Sequence, residues 1–245
     1  MSERRRLDEA LVERALAPSR ARARDAVQRG HVTVDGAVET KPARKVGPEQ
    51  ILALSDPAAG YVARSALKLV AALDAFAITV DGRLALDVGA STGGFTQVML
   101  ERGAKRVVAI DVGHDQLHPA IGADPRVEAH EGLNARDLDA DALGGPFDLV
   151  SVDLSFISVL KVLEPILSCL AAEGDLVILA KPQFEVGRDG LGKGGIVRDP
   201  GEAEAAVRRI EDAVAERGLV LTGRIASPIE GGDGNREFLI AARRC

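Results

Sequence analysis

Apolar residues along this chain follow helical spacing near its start and later alternate between strand-like and helix-like runs. Leu7, Ala10, Leu11 and Ala15 recur at i, i+3, i+4 and i+8. That is one face of a helix, predicted over residues 6–17 and ended by Pro18. Ser19 stands where it can cap a second helix through about Arg29, with Gly30 as its stop. Val32-Thr-Val34, Asp35-Gly36 and Val38 read as a short hairpin on an Asp-Gly turn, and Val46 and Ile51–Leu54 supply another strand or two. Pro57 to Gly60 reads as a linker, which divides the chain into residues 1–59 and 60–245.

From Tyr61 onward the pattern is strand, helix, strand, repeated. Strands are predicted near 83–88, 107–112, 127–130, 148–153, 175–180, 219–228 and 236–243, and helices near 62–76, 94–102, 158–171 and 201–217. Leu149-Val-Ser-Val152 and Leu176-Val-Ile-Leu179 are mostly apolar, as strands covered on both faces must be. The expected fold is α/β: a Rossmann-like, doubly wound sheet of seven strands whose last strand inserts antiparallel, preceded by a small α+β domain.

Composition sharpens this picture. Apolar residues make up 46% of the chain with six Phe, one Tyr and no Trp, so the core must be Leu, Val, Ile and Ala. No apolar run approaches a membrane span, and Arg4-Arg5-Arg6 is followed by Leu7-Asp-Glu rather than a signal-peptide core, so a soluble cytoplasmic protein is expected. Cys169 and Cys245 show no disulfide or metal spacing. Net charge is −6, unevenly spread: residues 1–59 hold 11 Lys and Arg against 9 acids, a balance of +2, which leaves −8 for residues 60–245. The N-terminal piece is therefore the expected phosphate-binding part, through Arg20, Arg22, Arg24 and Arg29 on the second helix. Arg20 and Arg24 share a face there, although a solvated basic helix reads equally well.

Candidate chemistry gathers at predicted strand ends, where open α/β sheets carry their sites. Asp87 leads into Val88-Gly89-Ala90-Ser91-Thr92-Gly93-Gly94-Phe95, a glycine-rich turn that opens a helix. Its spacing is neither the dinucleotide fingerprint nor a P-loop, so the anion it serves is expected to be a carboxylate, as in S-adenosylmethionine. Asp111 ends the next strand, placed to accept both ribose hydroxyls, and Asn134 follows the third, near an adenine edge. Asp153 and Lys181 end adjacent strands, Glu237 begins the last one, and Lys68 lies on the helix before the sheet. Any one of these four reads as an ordinary ion-pair partner.

Together they resemble a known family. The S4-like start, Tyr61…Arg64…Leu67-Lys68-Leu69, Asp87–Phe95, Asp153-Leu-Ser-Phe-Ile157, Lys181-Pro-Gln-Phe-Glu185, Gly194–Asp199 and Asn235-Arg-Glu-Phe238 are similar to the TlyA proteins, an S4 RNA-binding domain followed by an FtsJ-like ribose 2′-O-methyltransferase domain. The resemblance covers essentially the whole chain and implies methylation of cytidine ribose in ribosomal RNA of the large subunit and, in some members, also the small. It implies a catalytic tetrad of Lys68, Asp153, Lys181 and Glu237, with S-adenosylmethionine as cofactor. Lys181 is the expected base, acting as the neutral amine, with Asp153 and Glu237 orienting the two lysines. Two features depart from relatives: no Trp is present for the interdomain linker, and Ala63-Arg-Ser65-Ala stands where Ser-Arg-Gly is common.

Residues 186–200 hold five glycines with Arg188, Lys193 and Arg198, and with Arg64 they are expected to grip RNA, the loop ordering on binding. His114 and His118 lack a third ligand, so no metal is expected. Three rivals remain. Asp153-Leu-Ser-Phe156 faintly resembles the Asp-Pro-Pro-aromatic motif of base amino methyltransferases but lacks both prolines. A membrane-lytic protein is the second, because members of the family have been labelled hemolysins, and a non-catalytic ribosome-binding factor is the third.

Overall fold

The computed structural model describes residues 4–232 and 234–244, so Cys245 lies outside the described residues. The chain divides into two compact units, Met1–Gly60 and Tyr61–Cys245.

In the first unit, β1 (Arg5–Arg6) precedes α1 (Leu7–Glu13), α2 (Arg20–Gln28), β2 (Val32–Val34), β3 (Ala37–Val38), β4 (Lys45–Val46) and β5 (Leu52–Leu54). Leu7, Leu11, Ala23, Val27 and Val32 form its core. α1 stops four residues short of the helix expected from its apolar spacing. Ala15 turns left-handed at φ 56°, and the N–H groups of Leu16 and Ala17 return to the Leu11 carbonyl, so the chain closes the helix end before Pro18 is reached. Ser19 caps α2 by accepting from the Arg22 N–H. The Asp35-Gly36 turn has φ 54° and 83°, which joins β2 to β3 in register Val34↔Ala37.

The second unit runs α3 (Ala66–Ala75), β6 (Leu84–Val88), α4 (Gly94–Glu101), β7 (Arg106–Asp111), α5 (Pro119–Gly122), β8 (Val127–Glu131), β9 (Phe147–Val152), α6 (Leu163–Ser168), β10 (Leu170–Ala180), α7 (Pro200–Glu216), β11 (Leu219–Ala226) and β12 (Phe238–Arg244). Its seven strands lie in the order β11-β12-β10-β9-β6-β7-β8. All neighbours from β10 to β8 are parallel, while β12 is antiparallel to both β10 and β11. Strand residues alternate between two cores. Leu86, Val88, Val150 and Val152 face the side packed by α6 and α7; Ala85, Val107, Leu149 and Val177 face α3 and α4.

One expected helix is broken. Residues 158–171 form a 3₁₀ turn at Val159–Lys161, then α6, and the chain is already in β10 at Leu170. The segment from Asp153 to Ser158 is irregular, and it borders the site.

Candidate active site

The parallel register aligns the carboxyl ends of β6, β9 and β10: Val88 pairs with Val152, which pairs with Ile178. Asp153 follows Val152, donates its main-chain N–H to the Val88 carbonyl, and so sits against the glycine-rich turn. Gly89 is required there twice over. It has φ +90°, and a Cβ on it would lie 2.5 Å from the Asp153 carbonyl oxygen.

Two adjoining clefts open on these strand ends. The larger, about 810 Å³, is lined by Gly89, Ser91, Asp111, Asn134, the run Asp153–Ser158 and the segment around Gln183 and Arg188. The smaller, about 270 Å³, is lined by Arg64, Ser65, Gly89–Thr92, Phe95, Asp153, Ser155 and Lys181. Gly89, Ser91, Asp153 and Ser155 belong to both.

Four charged side chains form two ion pairs. Lys181 Nζ lies 2.6 Å from Asp153 Oδ1, with the side chains 11% and 16% exposed. This contact is a charge pair set off the hydrogen-bonding direction, since Oδ1 has no aligned donor. The directed bond of the Lys181 ammonium goes to Ser155 Oγ at 2.9 Å. Lys68 Nζ donates to Glu237 Oε2 at 2.5 Å, both side chains buried. Ala180 pairs with Phe238 across β10 and β12, which brings Lys181 and Glu237 to neighbouring positions at one sheet end. Gln183 bridges towards Glu237, its Nε2 at 3.5 Å from Oε1, and its own buried Oε1 has no partner among the described residues.

Asp111 accepts from the Ser91 N–H at 2.8 Å through Oδ2 and from the Gly113 N–H at 2.7 Å through Oδ1, so each oxygen retains a lone pair towards the cleft. Asn134 caps a 3₁₀ turn by accepting from the Arg136 N–H, which leaves its NH₂ group for the cleft it lines.

Three expected ligand contacts differ. Asp87 is 0% exposed and lines neither cleft; its carboxylate accepts from Thr96 Oγ1 at 2.7 Å and Ser151 Oγ at 3.0 Å. It braces the turn from below. Burial pushes its carboxyl up to about 6, against those two hydrogen bonds. Gly93 and Gly94 face protein rather than a cleft: a Cβ would meet Leu117 at 2.8 Å and Ser65 at 2.7 Å respectively. Their small size serves helix packing.

The arginines of α2 also divide. Arg29 bonds Asp25 and Asp56, Arg22 donates to the Ala58 carbonyl, and Arg20 pairs with Asp8 and Glu9. Burial opposes the charge of Asp8, yet Arg6 and Arg20 outweigh it and hold its carboxyl below the usual range. Arg24 is exposed, and its side chain pairs with nothing among the described residues. Arg64 is half-buried beside Lys181, Arg188 rims the larger cleft, and Lys193 and Arg198 are exposed on their loop.

Two residues went unnoticed as chemistry in the sequence. Asn235, 3% exposed, pins the 186–200 loop by accepting from the Val197 N–H and donating to the Gly195 carbonyl. Phe156 has φ +64°, is 92% exposed at the cleft rim and packs on Phe184 with ring centres 5.3 Å apart. A bulky side chain held left-handed and facing solvent is strained, and such strain clusters at sites of function. The family motif strings were the only sequence signal for either.

The chain is similar to known proteins along its whole length. The FtsJ-like methyltransferase family matches residues 61–244, and the S4 domain matches residues 5–52. The 16S/23S rRNA (cytidine-2′-O)-methyltransferase TlyA of Mycobacterium tuberculosis is 46% identical over 244 residues, 99% of this chain and 91% of that protein. Hemolysin A of Brachyspira hyodysenteriae is 37% identical over 96% of this chain and 98% of its own. A solved protein from Streptococcus thermophilus that carries a hemolysin name is 36% identical, with a TM-score of 0.77 over 100% of this chain and 90% of its own.

Proposed function

This chain belongs to the FtsJ-like methyltransferase family, in the S4-bearing TlyA form, and from that premise we propose that it transfers a methyl group from S-adenosylmethionine to the 2′-hydroxyl of a cytidine ribose in ribosomal RNA. The observation that carries this reading is the meeting of the Asp153–Lys181 pair with the Gly89–Thr92 turn across two clefts that share a wall.

The residues present suit the cofactor. Asp111 keeps lone pairs for ribose hydroxyls, Asn134 keeps an amide for an adenine edge, and the Thr92 main-chain N–H, without a partner among the described residues, is left for a carboxylate where α4 opens. When bound, S-adenosylmethionine supplies an electrophilic methyl on a sulfonium. The protein's part is to hold a poor nucleophile in line and remove its proton. Lys181 is the proposed base: its ammonium first gives up a proton to solvent, and Nζ then takes the proton of the hydroxyl; Asp153 and Ser155 fix where Nζ points. Lys68 and Glu237 keep the adjoining sheet end charged but internally compensated. Of the cations expected to meet RNA, Arg24, Arg64, Arg188, Lys193 and Arg198 remain for its phosphates. Phe156 offers an aromatic face on which an unstacked base can lie.

Methyl transfer to a base amino group has less support, since Lys181 at the smaller cleft answers the need of a hydroxyl and Asp153-Leu-Ser-Phe156 lacks both prolines. For lysis, no helix among the described residues is long and apolar enough to cross a membrane.

The test is incubation with radiolabelled S-adenosylmethionine and separated ribosomal subunits, followed by nucleotide mapping. Label is expected on a cytidine 2′-oxygen; label on a base would overturn the reading. Lys181→Ala is expected to lower transfer by at least about 100-fold while calorimetry still detects cofactor binding. Undiminished transfer would remove Lys181 from the role of base.

A further inference from the structure

The irregular segment between β9 and α6 is held in an unusual way. Asp153 keeps its main-chain bond to Val88, but from Leu154 to Ser158 no main-chain N–H finds a partner among the described residues. The same run lines the larger cleft from end to end. A loop whose main-chain N–H groups are unpaired takes its shape from side chains: Leu154 and Ile157 pack on the core, and the polar and aromatic ties run to one segment, Lys181–Glu185. Lys181 holds Asp153 and Ser155 at the near end, and Phe184 packs on Phe156 in the middle. At the far end Glu185 accepts from Ser158 Oγ at 2.5 Å through Oε2 and from the Val159 N–H at 2.8 Å through Oε1.

Glu185 is itself anchored, because its main-chain carbonyl accepts from Arg209 Nη2 on α7 at 3.1 Å. Ser158 starts the 3₁₀ turn Val159–Lys161 without capping it by its own side chain. The carboxylate from across the cleft takes that place. Two charge-assisted bonds on one rigidly placed carboxylate are stronger and more directional than neutral ones.

We propose that Glu185 is a positioning residue for methyl transfer: it clamps the Asp153–Ser158 loop onto the Lys181–Glu185 segment and so keeps Asp153 and Ser155 seated on the Lys181 ammonium. Lys181 and Glu185 lie on one short segment, so the loop is gripped at both ends by a single piece of chain. Releasing the far grip frees a strained segment around Phe156 to relax, and with it the geometry of the near grip. The proposal rests on the methyl-transfer reading for its catalytic consequence but not for the clamp itself.

The test compares the wild-type protein with Glu185→Ala, Glu185→Gln, Ser158→Ala and the Ser158→Ala/Glu185→Ala double variant. Two readouts are used: kcat on ribosomal subunits, and amide hydrogen exchange of the peptide covering residues 153–162. Glu185→Ala is expected to lower kcat about tenfold or more and to raise exchange in that peptide, with the melting temperature lowered by no more than a few degrees and exchange in β6 and β7 unchanged. Glu185→Gln should stay within about threefold of wild type, since its amide oxygen accepts from Val159 and its NH₂ donates to Ser158 Oγ. Ser158→Ala should add little to Glu185→Ala, because the two side chains form one link. Unchanged kcat and exchange in Glu185→Ala would overturn the clamp. So would a Glu185→Gln variant as slow as Glu185→Ala with normal exchange, which would mean the charge acts directly. Exchange judges the clamp whatever the methyl acceptor is; absence of ribosomal RNA methylation by the wild-type protein would refute the acceptor assignment alone.

Discussion

Asp87 shows how burial turns one residue from a ligand contact into a support. It leads the glycine-rich turn in the sequence, yet its carboxylate points into protein, where Thr96 and Ser151 receive it. A carboxyl that titrates near 6 when folded and near 3.8 ordinarily binds more protons in the native state between those values. Its stabilising contribution is therefore full below about pH 4 and is lost as pH rises through 6. Asp87→Asn removes that dependence while keeping one acceptor and gaining a donor for the two hydroxyls. Urea unfolding at pH 4.5 and 7.5 should show the variant gaining about 2 kcal/mol on wild type between the two conditions. A difference that does not move with pH would show that Asp87 is not the group titrating.

At the scale of elements, the site depends on how one turn and one loop meet. β6 and β9 end level, so the Gly89 turn and the Asp153 main chain touch, and the left-handed φ leaves no room or freedom for a side chain. Gly89→Ala is expected to cost about 2 kcal/mol in stability and to weaken S-adenosylmethionine binding, since relief of the clash must displace Asp153 from Lys181. Thermal melting and calorimetry check both; an unaltered variant would mean the loop yields freely, contrary to the ties described. The break of the expected 158–171 helix belongs here too. Apolar residues continue through it at helical spacing, but the Asp153–Ser158 loop and the 3₁₀ turn are set by Lys181 and Glu185 from another strand end, which no local pattern encodes.

Across the whole molecule the charge is split, with +2 on residues 1–59 and −8 on the remainder, so affinity for nucleic acid would rest on where cations cluster rather than on net charge. Among Arg20, Arg22, Arg24 and Arg29, Arg24 is the exposed one whose side chain has no partner among the described residues, whereas Arg29 is tied to Asp25 and Asp56. Arg24→Ala is expected to weaken ribosomal RNA binding and reduce the slope of log affinity against log salt by about 1, without lowering the melting temperature. An unchanged slope would take Arg24 out of the phosphate contacts. The two periods of apolar spacing were enough to read the seven strands and the small helical and β pieces of the start, because burying one face of each element is a local demand met by local residues; the antiparallel last strand came from the fold that the strand order fits, and the S4 assignment from the family resemblance. The glycine turn and the strand-end charges were legible for the same reason: each needs a particular residue at an element boundary. The Asp153–Lys181 pair was within reach from their adjacent strand ends, but that Lys68 pairs with Glu237, that Asp87 braces rather than binds, that Arg20, Arg22 and Arg29 are internally engaged, and that Asn235 and Glu185 hold the loops could not be read along the chain. Those are contacts between segments as many as 169 positions apart, as for Lys68 and Glu237. Their partners are chosen by strand register and burial, which exist only once the sheet has formed.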